Sequence, residues 1–308
     1  MERTTFAVAL ALAFLTALPA SFAQAQVGAF VAAQGSDSNP CTFALPCRSF
    51  QKAHDTVAAN GEIDVLDSAD YGVLNITKAV NIQGHGFSIM AQANGWTNAI
   101  MINAGPNDKV SLHGLLIDGG GVGNNGITFR SGASLDIQEC LIRNFIQTGL
   151  SFEPNAAGSL SVSDTRIAAN SFGISVGVNT KQATTSVFNR VVVVGNLVAG
   201  LQISGGLAPT NLTVSDSIFS NNGTYGVDLE RGSGGAPDVV TLRNVVVSYH
   251  EFGIAAKVDS LIRITKSTIT GNGIGLYPKS GGQIVSFGDN SLAGNTTDGV
   301  PTSTILLK

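Results

Sequence analysis

The sequence predicts an all-β solenoid, with short strands set three to a coil and coils of 22 to 28 residues stacked one on another. Three observations lead there. Glycine is plentiful (37 residues) and charge sparse (12%), while Val, Ile, Thr and Ser dominate, which is the composition of strands broken by many turns. Apolar and polar residues alternate over runs of three to five, a period of two rather than 3.6. Finally, one line of sequence keeps restating itself: "LIRNFIQTGLSF", "RIAANSFGISV", "SIFSNNGTYGVDL" and "STITGNGIGLYP".

The lines align on one apolar position: Leu112, Ile137, Val162, Phe188, Val214, Leu242, Ile264 and Phe287. Five places on, each has a second apolar residue, from Ile117 and Ile142 to Ile269 and Leu292. Eight places on lies a bend, filled by Asn170, Asn196, Asn222, Asn272 and Asn295 in five lines and by His250 in one. Every line then places a glycine before an aliphatic residue, from Gly126-Ile127 to Gly299-Val300. No single line can bury its apolar set, so the lines must stack, about 4.8 Å apart. Asn tolerates left-handed backbone and its amide can bond to the Asn above and below, so this column is expected to form a ladder with His250 as a substitute. Insertions such as "EPNAAGS" and "ERGSGGAPD" follow the third strand and set the spread in coil length.

Residues 1–25 read as a cleaved export signal. Arg3 gives the positive start, "FAVALALAFLTAL" is too short to span a bilayer comfortably, and "AQA" ending at Ala25 is an A-x-A cleavage site. Cleavage leaves 283 residues (308 − 25) beginning at Gln26, with net charge still −4 because Glu2 and Arg3 cancel. No later segment approaches about 20 continuous apolar residues, so no membrane anchor is expected. A weakly acidic chain without basic runs argues against nucleic acid. The protein is therefore expected in the periplasm or outside the cell, its oligomeric state left open.

The segment 26–60 is expected to lead in and cap the stack. Cys41 and Cys47, in "NPCTFALPCRSF", are the natural disulfide pair in an oxidising compartment; a zinc site would need further ligands, and none is near in sequence. Cys140 is left over at an inward position, where a thiol acts as a small hydrophobe. In "CRSFQKAHDTVAANG", Phe50, Ala53 and Val57 share one helical face, with His54 packed on it and Gly61 placed to close the helix. Such a helix would cover the open N-terminal end of the stacked sheets. The β-helix is expected to fill 61–308, ending in the strand-like "TSTILLK".

"VAAQGSDSNPCTFALPCRSFQKA" and "EIDVLDSADYGVLNITKAVNIQGHG" carry a resemblance. From about Phe30 onward the chain resembles the right-handed parallel β-helix proteins of the pectin-lyase-like superfamily, many of whose secreted members share that opening segment and those first coils. The resemblance implies a right-handed winding. It also implies a relation to enzymes that cleave or de-esterify uronate-rich polysaccharides in a groove on the outer face of the first strand. Some lyases there use Ca²⁺ held by clustered Asp with an Arg or Lys base, and hydrolases use Asp pairs on neighbouring coils. No catalytic signature of these enzymes matches this chain residue by residue.

Asp136, Glu139 and Asp164 fall on neighbouring coils as a loose acidic cluster. Carboxyls about 5 Å apart suit a retaining glycosidase and wider ones an inverting enzyme, whereas the plainer reading is a surface ladder of charges. Arg190, Arg243 and Arg263 can meet uronate carboxylates, and Trp96 in "QANGWTNA" can stack on a sugar or cap the core. Tyr225, Tyr249 and Tyr277 are further large amphipathic rings. Asp164 and Asp216 flanking Arg190 look more like a neutralised ladder than a Ca²⁺ cage, so no metal site is assigned and Ca²⁺ is the one ion considered. His85, His113 and His250 are expected far apart along the stack, giving no triad. The expected function is binding of an extracellular polysaccharide, uronate-type above all, with lyase or hydrolase activity open. The alternative is a non-catalytic structural or adhesin-like surface solenoid.

Overall fold

The computed structural model describes residues 26–86, 88–89, 97–177, 183–204, 208–230 and 237–305. The expected export signal and Trp96 lie outside the described residues. The strands form three sheets, as the repeat predicts. The first sheet has twelve strands, from Gln26–Val31 to Ser303–Thr304, and the second and third have nine each. Neighbouring strands pair in parallel, and successive strands of the chain step from sheet to sheet.

Register puts the repeat's apolar positions directly above one another. Leu112, Ile137, Val162, Phe188, Val214, Leu242 and Ile264 form one column in the first sheet. Ile117 to Ile269 form another in the second sheet. In the third sheet, Ile127, Leu150, Ile174, Leu201, Val227, Ile254 and Leu276 complete the core, and no side chain in these columns is more than 2% exposed. Burying each such side chain contributes about 1.5–3 kcal/mol, so the stack is held by its length.

The last coil departs from expectation at two points. Ile264 pairs with Ser286, not Phe287, because the following bend carries one more residue; Leu292 still pairs with Ile269. Gly299-Val300 is not a strand start either: Val300 is 73% exposed, and after an isolated bridge between Ile274 and Thr297 the chain returns to the first sheet as Ser303–Thr304.

The Asn column answers why Asn and Gly recur together. Asn170 Nδ2 donates to Asn196 Oδ1 at 3.0 Å, and Asn196 Nδ2 to Asn222 Oδ1 at 2.8 Å. His250 continues the line, its Nε2 3.1 Å from Asn222 Nδ2 and its Nδ1 2.9 Å from Asn272 Oδ1. Since an amide oxygen only accepts, Nδ1 carries the proton and Nε2 is bare. Asn272 then donates to Asn295, whose amide ends on Asp298 Oδ1, each at 2.8 Å. The glycine of each coil makes room for the next coil's rung. A Cβ on Gly173 would lie 2.5 Å from Val193 Cγ1 and 2.9 Å from Asn196 Nδ2.

At the N-terminal end the helix spans Phe50–Thr56 and caps the core with Phe50, Ala53 and His54 buried. It ends before Val57, not at Gly61. Val57 already opens the strand Val57–Val65, and a Cβ on Gly61 would lie 2.5 Å from the Val27 carbonyl. The opening motif is structural. Asp37 accepts from the Arg48 and Ser49 amides at 2.9 Å and from Ser49 Oγ at 2.8 Å, while Ser49 Oγ caps the helix by accepting from Lys52 N. Cys41 and Cys47 form a disulfide beside it. Cys140 is buried, and burial pushes its thiol up to about 12.

Burial holds His250 down to about 4, and the neutral ring is the form the ladder accepts. In the unfolded chain the ring takes a proton near pH 6.5, so this contribution is whole above that pH. It falls by about 3 kcal/mol as pH drops toward 4. His250→Asn keeps a donor and an acceptor in the column without the titration. Urea unfolding at pH 7 and pH 4.5 should show a smaller acid loss in the variant than in the parent; equal losses would mean that His250 is not the titrating rung.

Candidate functional site

Between the buried anchors, every other residue of the first sheet points outward and stacks on its neighbours. One outer column runs Glu62, Asn81, Ser111, Asp136, Ser161, Val187, Thr213, Thr241 and Arg263. Beside it run Asp64, Gln83, His113, Gln138, Ser163, Asn189, Ser215, Arg243 and Thr265. At the bend that follows, Glu139, Asp164, Arg190, Asp216, Asn244 and Lys266 all take left-handed backbone, φ 50° to 54°. Asn and Asp adopt that region readily, Glu, Arg and Lys less so.

The first coils of this face are acidic and internally bonded. Asn81 donates to Glu62 at 2.5 Å, and His85 Nε2 lies 2.9 Å from Asp64. His113 bridges Gln83, 2.7 Å from Nδ1, and Glu139, 3.2 Å from Nε2. Asp136 accepts from Gln138 at 2.6 Å and edges a hollow of about 320 Å³ that it shares with Lys109, Asn81 and Ser111. His85 and His113 are not far apart as expected. The Gly84 amide donates to the His113 carbonyl at 2.7 Å, so the two stand on adjacent coils, and only His250 is remote.

In the middle, Arg190 grips Asp164 with two parallel bonds of 2.6 Å and also contacts Asn189 Oδ1. These bonds, reinforced by the guanidinium charge, hold the Asp164 carboxyl below the usual range. Asp216 is lowered too, chiefly by Asn244 Nδ2 at 2.6 Å. Arg190 is thus committed to a neighbour, and so is Asp164. Among the described residues no three His, Cys, Asp or Glu side chains are grouped to hold a metal ion.

The last coils carry the other two arginines. Arg243 sits beside Thr265, Arg263 beside Thr241, and Lys266 follows at the bend. None of the three makes an ion pair among the described residues. The nearest acids are otherwise engaged: Asp216 accepts from Asn244, and Asp289 accepts from Thr265 Oγ1 at 2.7 Å and the Lys266 amide at 3.1 Å.

The tyrosines separate. Tyr249 is exposed on a bend, while Tyr225 and Tyr277 join Phe252 in a ring stack on the outer face of the third sheet, beside Lys257 and Glu230. Sequence reasoning missed Phe252, Lys257 and Glu230. The signal was an aromatic residue just before the glycine, in Tyr225-Gly226 and Phe252-Gly253.

Residues 98–256 and 206–306 match the model of the right handed beta helix region, together more than half of the chain. The chain belongs to the right-handed β-helix family. No curated protein matches the sequence. Among solved structures the chain is similar to pectate lyase Pel9A, at 14% identity and a TM-score of 0.54, over 87% of this chain and 73% of that one. It is also similar to the A-module of mannuronan C-5 epimerase AlgE6 from Azotobacter vinelandii, at 14% identity and a TM-score of 0.51, over 83% and 92%. These likenesses establish the pectin-lyase-like fold.

In this β-helix, the tie between Asp164 and Arg190 joins two coils through exposed side chains, where water screens the charges. Arg190→Ala should let the Asp164 carboxyl rise toward its ordinary value of about 3.9, read by carboxyl-carbon NMR titration. An unchanged titration would show that Arg190 does not hold it.

Proposed function

We propose that the outer face of the first sheet binds an extracellular polysaccharide of the uronate type. Arg243, Arg263 and Lys266 meet its carboxylates. One observation carries this reading: these three cations stand outward on two consecutive coils with no ion pair among the described residues. A guanidinium fork matches a carboxylate in two bonds, and coils repeating about every 4.8 Å present a row to a polymer that also repeats. The similar structures of a pectate lyase and a mannuronan epimerase support it, since both names specify acidic polysaccharides. Export fits as well, through the signal read in residues 1–25 and the Cys41–Cys47 disulfide, a bond of oxidising compartments.

For proton transfer on this face the groups are Asp136, beside Lys109 in its hollow, and Glu139 with His113. Asp164 is held by Arg190 and serves the ladder.

The purified chain is titrated with polygalacturonate, alginate and neutral dextran, with and without Ca²⁺. Saturable binding to an acidic polymer is expected, weakening as salt screens the charges. The double variant Arg243→Ala, Arg263→Ala should weaken it by about tenfold or more. Wild-type affinity in that variant would remove both arginines from the site. A folded chain that binds no acidic polymer would instead be a structural or adhesin-like solenoid.

A further inference from the structure

Outside the third sheet, where a β-helix normally offers side chains to water, this chain builds a second covered layer. Tyr225, Phe252 and Tyr277 come from three consecutive coils, and their rings stack with centroids 5.3 and 4.6 Å apart. Asp228 alternates with the inward Val227 and Leu229, so it points outward, yet it has no exposed surface. Side chains above it must do the covering. Lys257 Nζ lies 3.3 Å from Asp228 Oδ2, 3.1 Å from Glu230 Oε2 and 5.0 Å from the Tyr225 ring. The second Asp228 oxygen, Oδ1, has no hydrogen-bond partner among the described residues. A buried ion pair with an unmet oxygen is a poor stabilising device, because removing both charges from water offsets their attraction. Its place beside a hollow points to binding instead.

That hollow measures about 400 Å³ and is lined by Tyr225, Glu230, Phe252, Lys257, Tyr277 and Lys279 among others. Drug-sized ligands occupy sites of this order, about 300–1,000 Å³. Its charges balance, two lysines against Asp228 and Glu230, so it favours neither an anion nor a cation. An ammonium has three donors, and Lys257 meets two acceptors, which leaves one donor beside the exposed Glu230 carboxylate. A donor and an acceptor side by side suit two neighbouring hydroxyls. Tyr277 ends the ring stack half-buried, with the exposed Lys279 5.9 Å from its centroid. Its ring suits the C–H side of a sugar.

We propose that this hollow binds an uncharged pyranose unit, at a site separate from the polyuronate face. Lys257 and Glu230 hold adjacent hydroxyls of the sugar, and Tyr277 packs on its C–H face. Asp228 is a positioning residue that fixes Lys257 from beneath. The site does not rest on the first-sheet reading, since no residue is shared.

The full chain is titrated calorimetrically with cellohexaose, mannohexaose and galactohexaose, and in parallel with a galacturonate hexamer. One neutral series should bind saturably, and Tyr277→Ala and Glu230→Gln should each weaken it by about tenfold or more. Tyr277→Phe keeps the ring and should bind within about twofold of the parent, which separates loss of the site from loss of the fold. The Arg243→Ala, Arg263→Ala variant should lose the uronate hexamer and keep the neutral sugar. The proposal is overturned if none of the three neutral hexamers binds, if binding survives Tyr277→Ala and Glu230→Gln unchanged, or if the arginine variant loses the neutral sugar.

Discussion

Parallel strands hydrogen-bond at one spacing, about 4.8 Å, and each coil of this molecule has to repeat at that step. The Asn column satisfies the step best, because an amide carries a donor on one side and an acceptor on the other. Each rung also takes a backbone amide: Asn170 N donates to the same Asn196 Oδ1 that its side chain reaches. The rung enters the space where the previous coil would place a Cβ, so that coil needs glycine. Asn and Gly therefore belong to one joint between two coils, although they lie in different lines of the repeat. His250 is accepted because a neutral imidazole also has one donor and one acceptor, about as far apart as the column needs.

The same spacing governs the outer faces. Side chains in one column stand about 5 Å from their neighbours, so charges must alternate, pair or be spaced by neutral residues. The bend column does this with Glu139 against His113, Asp164 against Arg190, and Asp216 against Asn244. On the last coils Arg243, Arg263 and Lys266 make no ion pair among the described residues, which is why they, and not Arg190, carry the proposed ligand contacts.

Periodicity made most of the fold legible. The buried columns, the Asn rungs and the cap helix follow from residue types at regular spacing, and the disulfide from two nearby cysteines in a chain expected to be exported. The last coil was misread at Phe287 because one extra residue in a bend shifts the register without breaking the sequence pattern, and only hydrogen bonding shows which residue pairs with Ile264. The helix end was misread because Gly61 is needed for close approach to Val27, not for a cap.

Sequence alone determined the coil, since an apolar residue every two places and an Asn–Gly joint every 22 to 28 residues admit little besides a stacked β-helix. It also named the charged and aromatic side chains of the outer faces. Only the tertiary structure decided which of them are spent on one another. The tie of Arg190 into an acidic ladder was legible in the sequence, but that Arg243 and Arg263 make no ion pair among the described residues was not. Tyr225, Phe252 and Tyr277 are 52 residues apart from first to last (277 − 225) and meet as a single stack. The reason is physical. Pairing between side chains depends on register between coils, and register is set by backbone bonds to residues some 25 places away.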